Sequence, residues 1–111
     1  MSTVKYEMDE IEVRQLYHTA WEHWGGQTQI DILIEEMSEL IHALLRARRQ
    51  GRNFNGSVFE EMADVSICLD QMIKHLEEQS KDDDFIEQVN YKRSRLYVRL
   101  MESMTNKMEG S

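Results

Sequence analysis

No proline occurs in the 111-residue chain, and glycine stands only at Gly25, Gly26, Gly51, Gly56 and Gly110. These two residue types are the strongest breakers of a helix interior. Proline lacks the N–H and clashes with the preceding turn, and glycine loses the most backbone entropy. The stretches between the glycines are rich in Glu, Leu, Met, Gln and Arg, which all favour helix. The chain is therefore expected to be all-α, built from a few long helices joined at the glycines.

Apolar periodicity supplies the segments. A helix over residues 9–23 places Val13, Leu16, Tyr17, Ala20 and Trp24 on one face, and Gly25-Gly26 ends it. A second over 28–49 carries Ile30, Leu33, Ile34, Met37, Ile41 and Leu44 as its main inward stripe. A loop follows at 51–56. Ser57 reads as an N-cap, with Glu60 three residues on completing a capping box. The third helix then runs to residue 79, with Val58, Met62, Val65, Leu69, Met72 and Leu76 inward. An acidic turn at 80–84 leads into a fourth helix ending near residue 104. Short connections between long helices imply a bundle. Residues 9–104 are taken as one helical domain, with flexible segments at 1–8 and 105–111. Eight methionines suit irregular helix packing.

Charge and cysteine usage narrow the function. Twenty-one acidic and 13 basic side chains give a formal net charge of -8, which repels nucleic acid and anionic membrane surfaces. No apolar run approaches the roughly 20 residues of a membrane span. The single cysteine, Cys68, leaves no intrachain disulfide framework and fits a reducing compartment. The chemistry-free expectation is a cytoplasmic protein that binds neither nucleic acid nor membrane.

Six acids carry the chemistry: Glu35, Glu36 and Glu39 on the second predicted helix, and Glu60, Glu61 and Asp64 on the third. A spacing of three puts Glu36 beside Glu39, and Glu61 beside Asp64. On a helical wheel Glu36 falls among Ile32, Leu33, Leu40 and Ala43, and Glu61 between Val58, Val65 and Cys68. Both lie at the margin of an apolar face, where unpaired carboxylates are costly and mutually repulsive. A hard divalent cation such as Mg²⁺, with Mn²⁺ as the alternative, removes both costs. The competing account is neutralisation by Arg46, Arg48 or Arg49, although most of the helix separates them from Glu36. On the fourth helix Lys92, Arg95 and Arg99 form a basic flank suited to polyphosphate, with Asn90 just before it. Around the Gly25-Gly26 turn, Trp24 offers a ring for stacking and Gln27 an amide for reading a base edge; Trp21, His23 and Gln29 stand nearby. His18 and His75 are expected at the surface.

These motifs resemble the MazG family. Leu33-Ile34-Glu35-Glu36-Met37-Ser38-Glu39-Leu40 is similar to its first motif, Glu-Glu-x-x-Glu-Leu. Glu60-Glu61-Met62-Ala63-Asp64-Val65 is similar to its second, Glu-Glu-x-x-Asp. Asn90-Tyr91-Lys92-Arg93-Ser94-Arg95 resembles its Asn-x-Lys-Phe-x-Arg segment, with Arg93 where the family has an aromatic. The resemblance covers residues 27–99. It implies a four-helix bundle-like MazG fold completed as a homodimer or homotetramer. It also implies Mg²⁺-dependent hydrolysis of a nucleoside triphosphate, often a deoxynucleotide, to monophosphate and pyrophosphate. Glu36, Glu39, Glu61 and Asp64 would be the metal ligands, Glu35 or Glu60 would orient water, and Lys92, Arg95 and Asn90 would hold the substrate. Related dUTP and dCTP pyrophosphatases share the acidic helix pair, so the base stays open. The alternatives are a ferritin-like di-iron bundle and a non-enzymatic helical interaction protein. The first needs two Glu-x-x-His pairs, and only Glu39-His42 supplies one.

Overall fold

The structure, a computed structural model, describes residues 7–110. Residues 1–6 and 111, which belong to the two segments expected to be flexible, lie outside the described residues. The described residues form four helices: α1 (Glu10–Trp24), α2 (Gly26–Arg49), α3 (Gly56–Glu78) and α4 (Asp83–Glu109). The all-α, four-helix expectation holds. Helices α1 to α3 form one compact unit ending at Glu78, and Gln79 onward, with α4, forms a second. Among the described residues no helix is long and apolar enough to cross a membrane.

The ends of α1 and α2 have local causes. Asp9 caps α1: its Oδ1 accepts from the Glu12 N–H at 2.8 Å, and Glu12 answers with Oε1 to the Asp9 N–H. That reciprocal bond pair is a capping box. Gly25 alone links α1 to α2, with φ 89° and ψ 149°, a region open essentially to glycine. Helix α2 therefore starts at Gly26, two residues before the start expected from sequence. It ends in a Schellman motif, with the Arg52 N–H on Ala47 O, the Gly51 N–H on Arg48 O, and Gly51 at φ 73°.

The cap of α3 corrects the sequence reading. Asn55, not Ser57, is the N-cap, its Oδ1 accepting from the Val58 N–H at 3.0 Å. Serine and asparagine are both good caps. The winner is the residue that lets Gly56 and Ser57 join the first turn, and Glu60 is then left out of any capping box.

Helix α2 packs along α3, and α1 lies against both. At the loop end, Ala43 and Ala47 on α2 meet Val58 on α3, with Leu40 beside them; Ala47 and Val58 are fully buried. Two alanines four residues apart let the helix backbones approach. At the other end Trp21 is buried and stacks on His75, ring centroids 4.5 Å apart. Gly26 makes room for that indole, since a Cβ there would sit 3.2 Å from the ring. Gln29 is also buried and donates to Gln71 Oε1 at 2.7 Å.

The stripes expected inward are partly displaced. On α2 only Leu33 of the six is buried, while Ile34 and Ile41 are 55% and 57% exposed. The face that packs is Gln29, Leu33, Glu36, Leu40, Ala43 and Ala47. Its small and polar members make it the less apolar of the two faces, so periodicity selected the other. On α1, Trp21 takes the buried position expected for Trp24, which is 58% exposed. On α3, Met62 and Leu69 are exposed. No residue of α4 is buried, and the helix continues to Glu109, past the expected end at 104.

Gly25→Ala places a side chain in the glycine-only backbone region and is expected to lower stability by about 1–3 kcal/mol. Urea unfolding followed by circular dichroism measures it, and an unchanged midpoint would contradict the assigned role of Gly25.

Candidate metal centre

Residue numbers rise on α2 as they fall on α3. Gln29 meets Gln71, Glu36 interacts with Asp64, and Glu39 interacts with Glu61. This antiparallel register brings the two acidic pairs together. Glu36, Glu39 and Glu61 each offer a carboxylate oxygen within 4.8 Å of the others. Asp64 lies outside that triad but close enough to act on Glu36 by charge and by hydrogen bond.

Two oxygens of the cluster are cut off from water. Glu36 Oε2 and Glu61 Oε2 are buried without a hydrogen-bond partner, although each residue as a whole is only half-buried. No Lys or Arg pairs with these acids among the described residues, so the arginine alternative is not realised. The electrostatic result is a raised affinity for protons. Glu36 is pushed above the ordinary glutamate range first by loss of solvent, then by the charges of Asp64, Glu39 and Glu61. Glu61 is pushed up first by loss of solvent, then by the charge of Glu39 and a hydrogen bond with it. Two carboxyl groups can share such a bond only when one is protonated.

A divalent cation fits this donor set. Oxygens on opposite sides of an octahedral Mg²⁺ sit about 4.2 Å apart, twice the usual bond length. Adjacent oxygens sit about 3.0 Å apart, and of three ligands at most one pair can lie opposite, so the three oxygens, now within 4.8 Å of one another, would draw together around the ion. The cation would replace the lost solvent around Glu36 Oε2 and Glu61 Oε2 and cancel the repulsion.

The remaining site residues are more scattered. Glu35 and Glu60, neighbours of the cluster in sequence, are exposed. Gln27 donates to Asp31 Oδ1 at 3.1 Å, one turn along its own helix. Trp24 meets His23 edge-on, centroids 5.2 Å apart. Asn90, Lys92 and Arg95 are exposed residues of α4, with Lys92 over the ring of Tyr91.

Sequence reasoning missed the placement of Cys68 and His75 and the Gln29–Gln71 bond. Cys68 lies one turn beyond Asp64, and its thiol is pushed up first by burial and then by the charges of Glu36 and Asp64. Its wheel position beside Glu61 was the available signal. His75, expected at the surface, is half-buried against Trp21 with its Nδ1 unpartnered. The Gln29–Gln71 bond fixes the helix register one end along, and a glutamine pair has no sequence signature. His18 is exposed as expected, with Nδ1 2.8 Å from Glu78 Oε2.

Fold and site together define an all-α protein with a carboxylate cluster able to chelate a cation. No family model, no curated protein and no solved structure matches the chain.

Glu36 and Glu61 bind protons more tightly folded than unfolded. Their contribution to metal-free stability is therefore fully present below the ordinary glutamate pKa and is lost as pH rises through their raised values. Glu61→Gln, assayed in chelator, is expected to raise the urea midpoint at pH 7 and to leave it nearly unchanged at pH 4. Equal shifts at both pH values would contradict the crowding.

Proposed function

We propose that the chain is a MazG-like nucleotide pyrophosphohydrolase, hydrolysing a nucleoside or deoxynucleoside triphosphate to monophosphate and pyrophosphate with Mg²⁺. The observation that carries this reading is the pair of solvent-starved oxygens, Glu36 Oε2 and Glu61 Oε2, beside Glu39 and Asp64. Such a pocket is unfavourable for the empty protein and suited to a cation shared with phosphate oxygens. The resemblance of the three motifs to those of the MazG family implies the reaction class.

In this reading Glu36, Glu39, Glu61 and Asp64 are the metal ligands. A cation held there supplies Lewis-acid polarisation of the α-phosphoryl group and neutralises charge on departing pyrophosphate. Glu35 or Glu60 orients the attacking water and takes its proton. A new bond forms from water oxygen to the α-phosphorus, and the bond from that phosphorus to the β-bridging oxygen breaks. Lys92 and Arg95 hold phosphate oxygens, and Asn90 hydrogen-bonds phosphate or sugar. Trp24 stacks on the base and Gln27 reads its edge. Residues 9–104 serve as one functional domain, the working form is a homodimer or homotetramer, and the compartment is the cytoplasm.

The test is incubation with each common ribo- and deoxyribonucleoside triphosphate plus Mg²⁺, with identification of the phosphate product. Pyrophosphate is expected; orthophosphate alone, or full turnover in chelator, would overturn the reading. Glu36→Gln should cost about 100-fold or more in turnover with helical content retained. Lys92→Ala should weaken triphosphate binding more than monophosphate binding, and equal weakening would remove Lys92 from the phosphate site.

A further inference from the structure

Arg46 is exposed and forms no ion pair among the described residues. It stands seven residues after Glu39 on α2, close to two full turns. The two differ by only about 20° in direction, with Arg46 about 10 Å further along the axis. A long side chain on a helix leans back over the turn before it, which carries the Arg46 guanidinium toward the acids. Between them, on the packing side, stands Ala43, buried and no larger than a methyl group.

Helix α3 repeats the arrangement. Ser57 stands seven residues before Asp64, again about 20° apart in direction, and is exposed. The antiparallel register that sets Glu39 against Glu61 puts Ser57 level with Ala43, so α3 begins between the levels of Glu39 and Arg46. Asn55 takes the Val58 N–H with its side chain and the Phe59 N–H with its carbonyl. The Gly56 and Ser57 N–H groups have no acceptor among the described residues. Free first-turn amides and the positive end of the helix dipole attract anions. No acid occurs between Glu39 and Glu60 to compete for these donors.

We propose that Arg46, with Ser57 and the opening amides of α3, holds the terminal phosphates of a triphosphate whose first phosphate lies at the carboxylate cluster. The inference rests on the functional reading for the ligand. It gives that reading a phosphate seat on the same compact unit as the acids, whereas Lys92 and Arg95 belong to the other unit. The cation takes the phosphate at which the bond breaks, and Arg46 takes the charge of the departing pyrophosphate.

Calorimetric titration of inorganic triphosphate into the full chain with Mn²⁺ is the test, with nucleotide turnover measured on the same proteins. The wild-type chain is expected to bind. Arg46→Ala should weaken that binding about tenfold and leave orthophosphate binding and Mn²⁺ binding unchanged. Arg46→Lys should recover part of the loss. Ser57→Asp should also weaken triphosphate binding while helix content is kept, because an acid near a helix N-terminus favours the helix. Arg48→Ala is the control, since nine residues from Glu39 place Arg48 on the opposite side of α2. Absence of triphosphate binding by the wild type would overturn the proposal. So would an Arg46→Ala chain that binds as well as the wild type, or an Arg48→Ala chain that loses as much. Wild-type turnover with no dependence on Arg46 would end this inference alone. Arg46-dependent binding of inorganic triphosphate, with no pyrophosphate released from any nucleotide, would support the phosphate seat and end the hydrolytic reading.

Discussion

Ala43 and Ala47 bring α2 close enough to α3 for Glu36 and Glu61 to share one solvent-poor space. Everything proposed for the site depends on that approach. A larger residue at either alanine would push the helices apart and let water reach the carboxylates, which would then be ordinary solvated acids. Close packing at Val58 and the Gln29–Gln71 bond hold the two ends of the interface, and the acids lie between them. The repulsion is thus imposed by packing on both sides rather than relieved by local motion.

How the sequence encodes this differs from element to element. The four helices were legible because Gly25, Gly51 and the acidic turn near residue 82 punctuate strongly helical stretches. The meeting of the two acidic pairs was legible from two spacings of three and a loop that lets the helices return; which acid faces which came from the structure. The packing face of α2 was not. It is built from Gln29, Glu36 and two alanines, residues that a hydropathy pattern scores below the exposed stripe of Ile34 and Ile41. Trp21 was missed for a related reason: Trp24 fits the period of α1 better, but it is Trp21 that stacks on His75 and packs against Gly26. The cap at Asn55 was hidden by an equally good capping residue two positions on.

The misplaced stripe is informative in itself. A helix with one apolar face has one partner, whereas α2 has a polar-seamed face toward α3 and a fully apolar one away from it. The first face gives up stability by crowding acids, which is the pattern expected where a site, not packing, sets the residues. The second leaves Ile34 and Ile41 exposed to solvent in the single chain.

The α2–α3 carboxylates stand or fall as a cation site on whether they bind a divalent ion. Electron paramagnetic resonance of Mn²⁺ titrated into the metal-free protein at pH 7 tests it most directly. Loss of the free-ion signal at a defined stoichiometry, largely abolished in Glu36→Gln and competed away by Mg²⁺, is the predicted result. A free-ion signal that persists unchanged beside the wild-type protein would contradict it.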